Sequence, residues 1–177
     1  MLTLNLEIED FILRDIKKDE LNLVLKLYNE SEESMFATGI DRRLSIEDIK
    51  EKYLEVLINS HEFFAGIFMK KDSEMIGIIK GRLDYENSEN FWISSFLIGR
   101  NHRSEGIGKK CINSFITFIS KTYDIKRIFT GVISGNTNGV MFWQNMGFSY
   151  CRTIEQFINI NNMFEDYVIM KRVVEKN

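Results

Sequence analysis

Two glycines one residue apart, Gly106 and Gly108, open the longest amphipathic stretch of the chain. Behind them Ile107, Cys111, Phe115 and Ile119 recur every fourth residue, and Ile112, Ile116 and Phe118 widen the stripe. That spacing predicts a helix from about Ser104. Glycine inside a helix costs ~1 kcal/mol relative to alanine, so a pair at the helix start points to a close approach of backbone to a ligand. The first helical turn carries unpaired N–H groups and a partial positive charge. Positions without side chains let an anion reach those groups. An aromatic and β-branched run, Phe91 to Ile98, feeds the loop. The unit is therefore strand, anion-binding loop, helix.

The rest of the chain can be read around that unit. Phe11-Ile12-Leu13 predicts a short first strand, and Ile16 to Tyr28 has helical spacing. Asn29 to Leu44 is polar, contains Gly39 and reads as a loop, with room for a short helix. Ser45 with Asp48 three residues on resembles a capping box opening a helix through Ile46, Ile49, Tyr53, Leu54, Val56 and Leu57. Phe63–Met69 and Met75–Leu83 read as a β-hairpin. Ile128–Ile133 predicts another strand, and Gly139–Met146 a short helix stopped by Gly147. Two strands, near Ser149–Ile158 and Phe164–Met170, close the order. Alternation of strands and helices without a composition break indicates one mixed α/β domain over residues 1–177.

Composition excludes several classes. A net charge of −3 and the lack of a basic cluster argue against nucleic acid as a partner. No apolar run reaches the ~18 residues of a membrane span, and the acidic start MLTLNLEIED has no signal-peptide pattern. A cytoplasmic location, reduced thiols and no membrane partner are the expectation. Two cysteines and two histidines, scattered, predict neither a disulfide framework nor a metal site.

The loop itself fails two familiar phosphate patterns. A dinucleotide fingerprint needs glycine where Cys111 stands, and a P-loop needs glycine at Arg103 and Ser or Thr at Lys110. What the chain contains is Arg103-x-x-Gly106-x-Gly108, followed downstream by Asn136-x-x-Gly139-x-x-Phe142-Trp143-x-x-x-Gly147-Phe148. Both segments, in this order, resemble the coenzyme A-binding motif and the following segment of the GNAT superfamily of N-acetyltransferases.

The resemblance implies an α/β (α+β) domain with a mostly antiparallel seven-stranded sheet, splayed between its fourth and fifth strands and flanked by about four helices. Phe91–Ile98 would be the fourth strand and Ile128–Ile133 the fifth. It implies acetyl-CoA as cosubstrate, an amine as acceptor, no metal, and allows a homodimer. Main-chain groups of Phe96 and Ile98 would bond the pantetheine arm, with the Ile98 amide polarising the thioester carbonyl. Backbone N–H groups of Arg103, Ser104, Glu105, Gly106, Ile107, Gly108 and Lys109 would hold the pyrophosphate. Asn136 and Phe142 would border the cofactor on its other side. The implied activity is transfer of acetyl to a primary amine of a small molecule or a protein by direct attack on the thioester.

One departure stands out. Many members of that family carry a tyrosine seven residues after the Asn as general acid, and here the position is Trp143. An indole N–H donates a hydrogen bond but is not an acid at neutral pH. The thiolate could leave unaided, or Tyr150 or Ser95 could supply the proton. A non-catalytic acyl-CoA-binding or sensing domain is the alternative reading, and a chance match of the glycine loop a further one. Asp84, Glu89, Ser94 and Ser95 are candidate bases, and Glu32-Glu33 could attract a cationic acceptor. Plainer readings hold for His102 (a loop residue), Cys111 (core), Cys151, Phe91 and Trp92 (sheet packing), and Lys109 and Lys110 (solvated).

Overall fold

A computed structural model describes residues 2–30, 42–160 and 162–174. Among these residues one sheet of eight strands runs β1 (Asn5–Ile8), β2 (Phe11–Asp15), β3 (Glu62–Met69), β4 (Met75–Leu83), β5 (Asn90–Ile98), β6 (Arg127–Ile133), β7 (Ser149–Ile160) and β8 (Met163–Val173). Their order across the sheet is β1-β2-β3-β4-β5-β6-β8-β7. All neighbours are antiparallel except β5 and β6. The expected count of seven strands is corrected to eight among the described residues. The addition is β1, a four-residue strand at the sheet edge, too short to carry a strong alternation.

Four α-helices are described: α1 (Leu21–Tyr28), α2 (Ile46–Ile58), α3 (Ile107–Tyr123) and α4 (Thr137–Asn145). They cover both sides of the central strands, so β3 is apolar along nearly its whole length. Phe63, Ala65 and Ile67 of β3 pack with Phe91, Cys111, Ile112 and Phe115 on the α3 side. Phe64 and Phe68 pack with Val24, Ile49, Ile78 and Leu97 on the side of α1 and α2. Each buried Val, Leu, Ile or Phe among them contributes roughly 1.5–3 kcal/mol. No helix among the described residues is long and apolar enough to cross a membrane.

Local rules set most helix ends. Ser45 Oγ accepts from the Asp48 amide (3.2 Å) and Asp48 returns a bond to the Ser45 amide (2.6 Å), the predicted capping box. Arg42, paired to Asp48 at 2.7 Å, holds that carboxyl well below the ordinary carboxylate range. α1 begins five residues later than the spacing predicts, because a 3-10 turn, Lys18–Glu20, precedes it. Glu32 and Glu33 lie outside the described residues.

Candidate active site

The two parallel strands share a ladder only from Asn90–Arg127 to Ile93–Thr130. Beyond that they part, and two features mark the vertex. Ser94 is an extra residue on β5, a bulge against β4, where pairing shifts from Gly81–Ile93 to Lys80–Ser95. Thr130, buried, donates its hydroxyl to the Ile93 carbonyl (3.2 Å) and closes the last rung. The opening is a cleft of about 930 Å³, with Ser94–Ile98 on one wall, Thr130–Ile133 on the other, and the glycine loop and α4 at its mouth.

The bulge decides which backbone groups face the cleft. The Gly99 amide donates to Ile76 of β4 (2.8 Å). Groups on one strand alternate sides, so the amides of Ile98 and Phe96 face away from β4, into the opening. The Ile98 carbonyl already accepts from Arg103 Nε (2.9 Å), a tie between strand and loop. Ser104 (φ 66°) and Gly106 (φ 77°) are both left-handed. That backbone turns successive amides toward one point, an anion-binding concavity. α3 therefore starts at Ile107 rather than Ser104, and no side chain caps it. Arg103, Ser104, Gly106, Gly108 and Lys109 line the cleft, whereas Ile107 turns into the core and Glu105 points outward.

The two glycines have different reasons. Gly106 needs its positive φ, and nothing stands within 4 Å of where a Cβ would be. At Gly108 a Cβ would meet Phe142 at 3.4 Å and Phe96 at 3.5 Å, ordinary contact against two rings stacked 5.7 Å apart. Asn136 caps α4: its Oδ1 accepts from the Gly139 amide (2.9 Å). A Cβ on Gly139 would fall 2.6 Å from Asn136 Nδ2, which explains glycine three residues after asparagine. Trp143 lines the cleft but is buried among Phe142 (5.2 Å), Phe148 (4.9 Å) and Phe96 (6.0 Å).

Several candidates lie elsewhere. Asp84 accepts from Trp92 Nε1 (3.1 Å) and caps its own turn, and Glu89 pairs with Lys126. Tyr150 is exposed on β7, its hydroxyl 3.2 Å from Thr153. Lys110 pairs with Glu9 (2.6 Å), Cys151 is exposed, and burial pushes the Cys111 thiol up to about 12. None of these six lines the cleft. Ser95 and His102 do; Ser95 Oγ is 3.4 Å from the buried hydroxyl of Tyr28, and His102 is 3.6 Å from Glu74.

Sequence reading missed Tyr167. Its ring lies over Gly131, where a Cβ would overlap it, and stacks on Phe157 at 4.7 Å. It lines the cleft from β8, next to the vertex. The available signal was Gly131 itself, since glycine inside a strand marks a close approach by another group.

The sequence model described as an acetyltransferase (GNAT) domain matches residues 13–169. No curated protein matches the chain. The fold is similar to that of a spermidine N-acetyltransferase from Vibrio cholerae, in complex with CoA and spermine. The TM-score is 0.81 and identity 17%, over 93% of this chain and 96% of that one. It is similar to an acetyl transferase from Salmonella typhimurium that modifies the N-terminal serine of a 50S ribosomal subunit protein. There the TM-score is 0.79 and identity 15%, over 94% and 96% of the two chains. A ribosomal-protein-alanine N-acetyltransferase from Brucella melitensis gives a TM-score of 0.73 at 18% identity, over 92% and 99%.

Proposed function

The chain belongs to the GNAT acetyltransferase family, and from that premise we propose that it moves acetyl from acetyl-CoA to a primary amine of a small molecule or a protein by direct attack on the thioester. The observation that carries this reading is the unpaired edge of β5. It offers two amides, of Phe96 and Ile98, beside a loop whose left-handed Ser104 and Gly106 gather further amides at the mouth of the same cleft.

These residues fit the cosubstrate. The pyrophosphate would rest on amides between Arg103 and Lys109 at the open start of α3. The pantetheine arm would run along β5, bonded by Phe96 and Ile98. The Ile98 amide would polarise the thioester carbonyl and hold the oxyanion that forms on it; one such donor is worth roughly 3–4 kcal/mol in other enzymes. Phe142 and Phe96 would flank the arm, with Asn136 at its border. The acceptor must arrive as a neutral amine, because an ammonium has no lone pair to attack with. Spermidine and the N-termini of ribosomal proteins, the acceptors of structurally similar enzymes, define the first two classes to try.

Calorimetric titration with acetyl-CoA, dephospho-CoA and ATP tests the reading. Saturable acetyl-CoA binding, much tighter than ATP binding, is expected. Lack of binding at millimolar acetyl-CoA would overturn it.

A further inference from the structure

We propose that Tyr167 is the proton-transfer residue of the reaction, replacing from β8 the acid that Trp143 cannot be. This inference rests on the acetyl-transfer reading. Among the described residues, the cleft lining has four ionisable side chains. His102, Arg103 and Lys109 belong to the loop at the mouth. Tyr167 alone reaches the vertex: β8 pairs it with Ile133, and its ring leans back over Gly131, one residue past the last rung of β5 and β6, where the proposed reaction brings amine and thioester together. Its ring occupies the room that Gly131 leaves by having no side chain, and Phe157 backs it. Its hydroxyl has no protein hydrogen-bond partner among the described residues, although a half-buried phenol ordinarily finds one. A phenol that is held in place and unpartnered faces the site with both its proton and its lone pairs available.

The amine nitrogen bonds to the carbonyl carbon, and the C–S bond breaks with its electron pair leaving on sulfur. Tyr167 gives its proton to that sulfur, and its oxygen takes the proton the new amide nitrogen must shed. One proton has moved from nitrogen to sulfur, and the residue ends as it began. Burial pushes the Tyr167 phenol above its ordinary range, which suits a group that relays a proton without resting as phenolate.

Tyr167→Phe keeps the ring on Gly131 and the stack on Phe157 and removes only the hydroxyl. Acetyl-CoA Kd should stay within about twofold and Tm within about 2 °C. Thiol release in single turnovers, with spermidine or an alanine-initiated peptide as acceptor, should fall about 100-fold, the lower range for general acid–base assistance, at unchanged KM for the amine. A kcat within threefold of the parent overturns the proposal, as does a loss confined to KM or to acetyl-CoA Kd, which would make Tyr167 a binding group. A parent protein that binds no acetyl-CoA overturns the underlying reading instead. One that binds it and releases no thiol overturns both.

Discussion

The wall of the cleft formed by β5 and the loop into α3 works through main chain, whereas the wall formed by β6 and β8 works through side chains. On the first, Phe96, Ile98 and the residues from Ser104 to Gly106 present amides, and at Gly106 and Gly108 it is the lack of a side chain that keeps the approach open. On the second, Gly131 gives up its side chain so that Tyr167 can take the space. A main-chain site suits a ligand that never varies, because almost any residue type can supply an amide. A side-chain wall can be changed one residue at a time, which suits the partner that differs between enzymes of one fold. The cosubstrate wall should therefore be sensitive to backbone freedom, and the acceptor wall to individual functional groups.

The strongest way to break that division is Gly106→Trp. A side chain at φ 77° costs about 1–2 kcal/mol, and the indole would stand where an anion must approach. At least 100-fold weaker acetyl-CoA binding is expected by calorimetry, about 2.7 kcal/mol or more, with a Tm fall of a few degrees and retained circular dichroism. Parent-like affinity in the folded variant would remove the loop from the cosubstrate site.

Gly131→Ala addresses the other wall with a smaller effect. The methyl group would overlap the ring and hydroxyl of Tyr167 and force it to move. Overpacking of this kind costs about 1–3 kcal/mol. Turnover should fall at least tenfold with acetyl-CoA Kd unchanged within about threefold. Equal losses in both would mean the walls do not divide the labour.

The same division explains what the sequence disclosed. The glycine loop and the Gly147 stop are local devices, each legible within about ten residues because each satisfies a helix end or a turn, whereas Asn136 with Gly139 was legible only through the family resemblance, and its capping of α4 through the fold. The hairpin of β3 and β4 was likewise legible, since neighbouring apolar runs pair. Tyr167 was not. It is 36 positions from Gly131 and reaches it only because β8 inserts between β6 and β7. Tyr150 was the tyrosine the sequence offered as an acid, and strand register sends it to the exposed edge. The vertex, too, depends on the Ser94 bulge, a single extra residue that no periodicity announces.

Trp143→Tyr has the smallest expected effect and discriminates most sharply. Trp143 sits on α4, at the side of the cleft proposed for the cosubstrate, while Tyr167 sits on the wall proposed for the acceptor. Replacing indole by phenol trims a ring that packs among Phe96, Phe142 and Phe148, at about 1–2 kcal/mol. That corresponds to a Tm fall of about 2–8 °C. Acetyl-CoA affinity should stay within about twofold, because the amides of β5 and of the loop do not move. Turnover should stay within threefold, since the proton already has a route through Tyr167 and a second phenol adds nothing to it. A tenfold rise would show that α4 offers the faster route and that departure of the thiol limits the parent enzyme. A fall at unchanged affinity would give Trp143 a part in shaping the acceptor side, and the boundary between the two walls would then run through the indole itself.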